Sequence, residues 1–532
     1  MFRISNKYFL VLMLIFIVGC AKRGTITGGE KDTLAPVLTS SVPKNYSVNF
    51  KGKEVKLYFD EYIKLKDINK QLIVSPPMNE APDISPNGAS RFISIKIKDT
   101  LRPDTTYSFN FGQSIQDNNE GNPYQQFKYV FSTGSYIDSL SVEGTVKDAL
   151  EQKVDNFVTI MLYEFNEKYS DSTVYKQKPR YVTNTLDSLK TWKIENIKAG
   201  KYVLVALKDF NNNFKFDPKK DKIGFLKQEI TIPTEEKFEL KLFKEKTVSK
   251  ILKPSQASGN RAIVGYEGNV KNIKIILKNG NEILPSISTK VNTKDSVQVW
   301  FNKIKTDSLK MEITKADFKK DYYFKIKDQK KDTLAFTASN NGVIGFRDTF
   351  SISASTPIVK FDNSKISLLD KDKKAVVFTT EYDEFNQKLN FKFKKEEEQK
   401  YAVRLLPGAM IDFFDKQNDT LNYKFSTKSS ADYGNMTLTL EKAKRFPIIV
   451  ELTDEKGKVL ATEYAESLPV VRFEGLEPNM YYLRIIYDDN KNKEWDPGNF
   501  LLKQEAEQVI YFPKIIDVRA NWDVDQPFNL GD

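Results

Sequence analysis

The sequence contains no histidine and only one cysteine, Cys20. The lack of histidine excludes Ser–His and Cys–His nucleophile pairs, His-ligated zinc and histidine general bases. Carboxylate-pair and Ser–Lys chemistry stay open, but there is no Walker loop and no G-x-S-x-G motif. The most conspicuous acidic pairs are Asp60/Glu61 and Asp488/Asp489. Because neighbours on a strand point to opposite faces, neither pair suits general acid–base work, and the sequence predicts a protein that is not an enzyme.

The scarcity of cysteine also bears on stability, because a chain with one thiol forms no internal disulfide and must be held together by its hydrophobic cores. With 532 residues, the chain is long enough for about three to five such cores. Its 37 Phe and 25 Tyr, frequently interrupted by Gly and Pro, favour strands over helices. The formal charge of +11 comes from lysines spread along the chain, which indicates a solvated basic surface and no nucleic-acid partner.

The N-terminus, MFRISNKYFLVLMLIFIVGCAKRG, predicts a secretory leader. Arg3 and Lys7 form a basic region, and the apolar run 9–18 is too short to span a bilayer permanently. The run ends in the sequence I-V-G-C, which resembles a bacterial lipobox with Cys20 as the lipidation site. We therefore expect a signal peptide at 1–19, acyl chains such as palmitate on Cys20, and a flexible lipidated tether at 20–35. The alternative is a buried cysteine within an uncleaved leader.

The segment after the cysteine follows the pattern C-A-x-R-G-x-x-x-G-G-x-x-D-T-x-x-P. This pattern resembles the start of Ig-like outer-membrane lipoproteins of Bacteroidetes-type bacteria. The resemblance implies attachment to the outer membrane. In that group, acidic residues after the cysteine often signal surface export, whereas Lys22 and Arg23 stand here. The surface and the periplasmic face of the outer membrane therefore both stay open.

Residues 36–136 resemble the SbsA-type bacterial Ig-like domain. The shared features are F-D-E at 59–61, S-P-P at 75–77, L-R-P-D-T-T-Y at 101–107, I-x-D-x-x-x-G-N at 115–122 and F-S-T at 131–133. Runs such as VKLYFDEYI (55–63) and FKYVFSTG (127–134) read as strands. The resemblance implies a β-sandwich and a non-enzymatic role.

The sequence repeats a two-domain unit, roughly at 36–246 and 350–532. Residues 137–246 contain IENIKAGKYVLVALKD, a pattern typical of prealbumin-like or carboxypeptidase-regulatory-like β-sandwiches, and FEGLEPNMYYLRIIYDD (473–489) echoes it. We therefore predict an all-β protein of tandem sandwiches. Its expected parts after the first Ig-like domain are a prealbumin-like sandwich at 137–246, a middle sandwich at 247–349, a second Ig-like domain at 350–430 and a second prealbumin-like sandwich at 431–532.

Each prealbumin-like pattern is followed by an acidic loop of the form D-x-N-x-N-x-x-x-D. The oxygen-bearing residues of these loops are Asp209, Asn211, Asn213 and Asp217 in the first loop, and Asp488, Asn490, Asn492 and Asp496 in the second. They occupy positions 1, 3, 5 and 9 of an EF-type calcium loop, but glycine at position 6 and glutamate at position 12 are missing. Two alternatives stay open: weak calcium binding, and a metal-free loop whose Asx side chains bond to the backbone. In both alternatives, the acidic loops have a structural role.

Aromatic residues near the acidic loops allow two interpretations. Phe214, Phe216 and Trp495 could stack on glycans, but pegs that close the end of a sandwich fit better. The closing stretch VIYFPKIIDVRANWDV (509–524) predicts a final strand with a packed Trp522.

These observations lead to one functional hypothesis and one alternative. The first is a non-enzymatic scaffold or accessory subunit of an envelope protein complex, for example one built on an outer-membrane β-barrel. Lipid at Cys20 would fix one end, while exposed edges and loops would meet protein partners. The alternative is a surface protein that binds glycan or matrix.

Overall fold

A computed structural model describes residues 32–186, 190–247, 249–268, 273–291, 294–315 and 318–531. The predicted signal peptide, Cys20 and most of the tether lie outside the described residues. The chain divides into two compact units, the first ending at Ser139 with the addition of Asn196–Lys198, and the second comprising the remainder. No helix within the described ranges is long and apolar enough to cross a membrane.

The first Ig-like domain is a two-sheet sandwich with a short helix, α1 (Ile68–Gln71). Its strands are β1 Leu38–Val42, β2 Glu54–Leu65, β3 Ile73–Ser75, β4 Asp83–Ser85, β5 Ser90–Lys96, β6 Thr106–Asn110, β7 Ile115–Asp117 and β8 Lys128–Ser132. One sheet has the order β1-β2-β5-β4 with β7 also on β2, and the other has the order β3-β6-β8. Along β2, Val55, Leu57 and Phe59 alternate inward and are buried, as a half-solvated strand requires.

The first prealbumin-like module, residues 140–246, follows with helix α2 (Thr173–Lys176). Its strands are β9 Leu140–Asp148, β10 Thr159–Glu164, β11 Tyr181–Asn184, β12 Thr191–Ile197, β13 Gly200–Lys208, β14 Lys222–Phe225, β15 Ile230–Ile232 and β16 Lys237–Leu242. One sheet has the order β11-β10-β13-β14 with β15 on β13, and the other has the order β12-β9-β16. The first and last strands of the module, β9 and β16, are parallel.

The middle sandwich has a core of its own, which includes Val264, Leu277, Val299 and Met311. Its strands are β17 Lys250–Ile251, β18 Ser255–Ser258, β19 Arg261–Glu267, β20 Lys274–Asn279, β21 Glu282–Leu284, β22 Ser286–Lys290, β23 Ser296–Phe301, β24 Ser308–Lys315 and β25 Phe318–Lys325. They form sheets of order β17-β19-β23-β22, with β18 on β19, and β21-β20-β24-β25.

The second Ig-like domain begins before the predicted boundary at 349/350. Its strands are β26 Phe336–Ala338, β27 Ser351–Ala354, β28 Ile358–Phe361, β29 Ile366–Leu369, β30 Phe378–Asp383, β31 Lys388–Phe393, β32 Lys400–Leu405, β33 Met410–Asp412 and β34 Leu421–Ser426, with 3-10 turns at Asn363–Lys365 and Ser430–Asp432. The first strand, β26, pairs with β27 across the predicted boundary. With three residues, β26 is too short to show an alternating pattern in the sequence.

The second prealbumin-like module, residues 434–531, completes the chain. Its strands are β35 Gly434–Glu441, β36 Ile448–Thr453, β37 Val459–Ala465, β38 Val470–Leu476, β39 Asn479–Tyr487, β40 Val509–Tyr511, β41 Ile516–Val518 and β42 Asp523–Asn529. The stretch 509–524, predicted as one final strand, instead contains β40, β41 and the start of β42. Trp522 is not packed as predicted: it is 50% exposed, because it lies in the turn before β42, with Arg519 over its ring.

Strand pairing repeats between the two halves of the chain. In the second prealbumin-like module the sheets have the orders β37-β36-β39-β40, with β41 on β39, and β38-β35-β42, with β35 and β42 parallel. Strand for strand, these pairings match those of the eight strands β9 to β16 in the first prealbumin-like module. The Ig-like domains match in the same way, except that the single strand β2 corresponds to two strands, β27 and β28. The predicted fold class, tandem β-sandwiches, is confirmed.

Candidate functional site

Both acidic loops leave an interior strand of a five-stranded sheet. The first loop follows β13 and the second follows β39, which occupies the same place in the second prealbumin-like module. Their first residues are buried: Asp209 is 8% exposed and Asp488 is 0% exposed. The two loops are therefore equivalent positions in a repeated structure.

In the first loop, the carboxylate of Asp209 holds the turn together. Its Oδ1 accepts the N–H of Asn211 at 3.0 Å, and its Oδ2 accepts the N–H of Phe214 at 2.7 Å. Asn213 accepts the N–H of Lys215 at 2.8 Å. Asn212 and Phe214, at positions 4 and 6, have left-handed φ angles of 51° and 58°. The turn is made without the glycine that an EF-type loop has at position 6.

In the second loop, Asp488 repeats the contact to position 6, but its other oxygen accepts the N–H of position 5 and not that of position 3. Its Oδ1 accepts the N–H of Asn492 at 3.0 Å, and its Oδ2 accepts the N–H of Lys493 at 2.9 Å and the hydroxyl of Tyr464 at 2.8 Å. Lys491 and Lys493, again positions 4 and 6, both have φ of 62°. The carboxylate at position 1 thus supports a left-handed residue at position 6 in both copies.

A further carboxylate fastens the two ends of each loop. Asp221 accepts the N–H groups of Phe210 and Asp217, positions 2 and 9, at 3.0 and 2.8 Å. In the second loop, Glu507 accepts the N–H groups at the same two positions, both at 2.9 Å. Burial raises the pKa of Asp221 and of Glu507 above their usual values, although these N–H groups act in the opposite direction.

Asp221 and Glu507 both lie outside the D-x-N-x-N-x-x-x-D motif, so the motif does not reveal them. The two carboxylates lie at different distances along the chain from their loops, so no common spacing identifies them. Position 9 of the first loop, Asp217, accepts the N–H of Lys219 at 3.0 Å.

Lysine ammonium groups contact both loops. In the first loop, the Lys220 ammonium donates to the side-chain Oδ1 of Asn211 at 3.2 Å. In the second, Asp496 accepts hydrogen bonds from Lys246 of the first prealbumin-like module and from the side-chain amides of Asn490 and Asn492. Burial raises the pKa of Asp496, but these hydrogen bonds outweigh it and hold the pKa below its usual value.

Within the ranges that the structure describes, no group of three or more acidic or cysteine side chains is arranged to hold a metal ion. The loop carboxylates instead accept N–H groups of their own loops, as the metal-free alternative requires. Weak calcium binding by the predicted Asp and Asn residues stays an alternative: Asp209, Asn211, Asn213 and Asp217 in the first loop, and Asp488, Asn490, Asn492 and Asp496 in the second.

The aromatic residues of the loops lie partly inside the protein. Phe216 is 3% exposed, and its ring lies 5.2 Å from that of Tyr175. Trp495 is half-buried, and its indole N–H donates to the carbonyl of Glu507 at 3.2 Å. Phe216 and Trp495 therefore pack against the loops as pegs.

An exposed aromatic row lies elsewhere, on the outer face of the first Ig-like domain. Tyr58 on β2 faces Phe92 on β5, with ring centroids 6.0 Å apart and an angle of 38° between the rings. Tyr62, four residues further along β2, is 55% exposed, and the Arg91 guanidinium lies 5.1 Å from its ring centroid. We call Tyr58, Tyr62 and Phe92 the aromatic row.

The sequence profile of the bacterial Ig-like domain matches residues 32–133, which form the first Ig-like domain. No curated protein sequence matches the chain. Solved structures similar to parts of it include an I-band fragment of titin, 12% identical, with 53% of this chain and 98% of that chain covered and a TM-score of 0.13. Domains 1–6 of the surface layer protein SbsC are 9% identical, with 91% and 67% covered and a TM-score of 0.16. Such low scores carry no conclusion about function.

Proposed function

We propose that the protein is a non-enzymatic outer-membrane lipoprotein that acts as a scaffold or accessory subunit of an envelope protein complex. The observation that carries this proposal is the repeated pairing of an Ig-like domain with a prealbumin-like module. Duplicated sandwiches provide surface for partners, and in the part of the chain that the structure describes the position-1 carboxylates of the acidic loops accept N–H groups of their own loops. The Ig-like profile at the start of the chain agrees with such a role.

Co-purification tests the scaffold proposal. The full chain, tagged at its C-terminus, is extracted from native envelopes with mild detergent, and the proteins bound to it are identified by mass spectrometry. We expect one or more envelope proteins in amounts comparable to the tagged chain. Recovery of the tagged chain alone contradicts the proposal. The Cys20→Ser variant is the matched control, because it separates partners that need membrane attachment from those that bind the sandwiches alone.

A second candidate function, glycan binding, is favoured by the aromatic row. Aromatic rings provide flat surfaces on which sugar rings can stack, and Arg91 adds hydrogen-bond donors beside them. We expect the full chain to be retained on a polysaccharide column and the Tyr62→Ala variant to elute earlier. Tyr323→Ala, which removes a ring that is 64% exposed on β25, is the control and should elute with the unmodified chain. Equal elution of all three proteins excludes this function for the aromatic row.

A further inference from the structure

The two prealbumin-like modules contact one another, although two other domains separate them in sequence. The centre of the contact is Phe500, which comes from the segment after the second acidic loop and is fully buried. Its ring lies 5.2 Å from that of Phe225 and 6.2 Å from that of Tyr175, both in the first module. We call the contact between residues 496–505 and the first prealbumin-like module the clasp.

Polar groups of the clasp are paired across the contact. The Phe500 N–H donates to Oε1 of Glu245 at 2.6 Å, and Glu245 is only 8% exposed. The Lys246 ammonium meets Asp496, and Lys503 meets Asp171 at 2.6 Å. The buried carboxylate of Glu245 is thus hydrogen-bonded, and the partly exposed lysines each face a carboxylate, so the contact is built from matched groups on both sides.

The backbone of the clasp also approaches the first module closely. A Cβ placed on Gly498 would lie 2.6 Å from Cζ of Phe243, and 2.4 Å from the carbonyl oxygen of Gln504 in its own segment. Any side chain at position 498 would therefore push the segment away from the first module. Glycine here permits a contact as close as those found inside a domain.

A second patch joins the same two modules. The carbonyl of Leu150, after β9, accepts the hydroxyl of Tyr511 at 2.8 Å and a guanidinium N–H of Arg484 at 3.3 Å. Arg484 is 5% exposed and is held by Glu451 at 2.6 Å. With two separate patches, rotation of one module against the other is blocked as well as separation.

Within the second unit, domains that follow one another in the sequence are also in contact. The first prealbumin-like module meets the middle sandwich through Lys219 and Glu267 at 2.8 Å. The middle sandwich meets the second Ig-like domain where the Lys290 N–H donates to the Phe385 carbonyl at 2.7 Å.

The second Ig-like domain in turn meets the second prealbumin-like module, where Arg347 reaches Glu463 at 2.5 Å. The rings of Phe346 and Tyr433 are 5.2 Å apart at the same junction. The first three contacts join the four sandwiches in sequence order. The clasp is the fourth contact, and it joins the last sandwich back to the first.

We propose that the clasp closes these four sandwiches into a ring of contacts within one chain, so that the second unit moves as a single body. Sandwiches joined only to their sequence neighbours through small interfaces rotate against one another. Closing the series removes that freedom without a disulfide, which the chain lacks the cysteines to form. The ring would exist in the second unit whether or not the protein acts as a scaffold.

Zero-length crosslinking of the full chain tests the proposal. A carbodiimide joins an amine to a carboxylate only where the two touch, and the contact offers four such pairs: Lys246–Asp496, Lys503–Asp171, Lys227–Glu505 and Lys153–Glu455. We expect mass spectrometry to find amide links at these pairs. In a mixture of ¹⁴N- and ¹⁵N-labelled chains, every link should join peptides of one isotope. Links of mixed isotope, or no links at these pairs, overturn a ring closed within one chain.

Two variants make the test specific. Phe500→Ala removes the buried ring and should shift the closing equilibrium about a hundred-fold toward the open state. Lys246→Glu places a carboxylate against Asp496 at a surface position, where folding is not at risk. In both variants we expect the remaining crosslinks between the prealbumin-like modules to fall, while the Lys219–Glu267 link persists. Leu502→Ala, a matched truncation of a residue that is 73% exposed, should change nothing. Unchanged crosslinks in both variants overturn the proposal.

Discussion

Phe214 and Lys493 have left-handed backbone conformations although neither is glycine. Such a conformation costs a residue with a side chain about 1–2 kcal/mol. In each loop, the amide of the left-handed residue donates to the buried carboxylate at position 1, and hydrogen bonds to charged groups contribute about 1.5–3 kcal/mol. The carboxylate therefore offsets the strain of the turn.

Removing that carboxylate should destabilise the second prealbumin-like module. Asp488→Ala leaves the amides of Asn492 and Lys493 without their acceptor, and we expect a loss of about 1–3 kcal/mol. Calorimetry of the full chain measures the loss as a lower melting temperature of this module. Asp489→Ala is the control: Asp489 forms an exposed pair with Arg445, so about 1 kcal/mol or less should be lost. Equal effects of the two substitutions would refute the support role.

A calcium titration decides between the two alternatives for the loops. Because the Lys246 ammonium already faces Asp496, and the position-1 carboxylates accept N–H groups, we expect added CaCl₂ to leave the melting temperature at its value in chelator. A melting temperature that rises with calcium, and fails to rise in Asp209→Asn or Asp488→Asn, would instead establish the calcium alternative.

The loop residues could be predicted from the sequence, but their partners could not. The spacing of Asp209 and Asp488 from the next Asn and Asp residues is local, so it is visible in the sequence. Glu507 and Lys246 reach the second loop from other segments, and their positions depend on strand β40 and on the clasp. Contacts of this kind are set by tertiary packing, which no local pattern records.

Among the elements, the parallel pairs β9–β16 and β35–β42 were the least predictable. Alternating runs identify strands, and the predicted runs at 55–63 and 127–134 correspond to β2 and β8. The partner of a strand depends on the path of the whole module. The two parallel pairs join the first and last strands of each module, about ninety residues apart in the sequence.

The close approach of the parallel strands β9 and β16 requires glycine at position 144. A Cβ at Gly144 would lie 1.9 Å from the carbonyl oxygen of Phe238 on β16 and 2.7 Å from the Trp192 ring. Gly144→Ala should therefore force the two strands apart and cost about 1–3 kcal/mol, measured by denaturant unfolding. Gly88→Ala, at a glycine with open space around it, should have little effect. A Gly144→Ala protein as stable as the unmodified chain would show that the strands tolerate separation.

At the scale of the whole molecule, the proposed attachment of the chain to a membrane would depend on Cys20. If acyl chains on this residue are the anchor, Cys20→Ser should move the protein from the membrane fraction to the aqueous phase of a detergent partition. The unmodified chain should stay in the detergent phase, and its N-terminal peptide should carry the mass of the acyl groups. A Cys20→Ser protein that still fractionates with membranes would require another anchor.

The parallel pairing of terminal strands has a mechanical consequence. When the two ends of a prealbumin-like module are pulled apart, β9 and β16 are drawn in opposite directions along their length. The load then falls in shear on all the bridging hydrogen bonds at once, from the Glu143–Lys237 pair to the Asp148–Leu242 pair. A strand that is peeled away from one end would instead lose these hydrogen bonds one at a time. Each such module should therefore resist tension and then yield abruptly, which would suit the proposed attachment of the chain at one end.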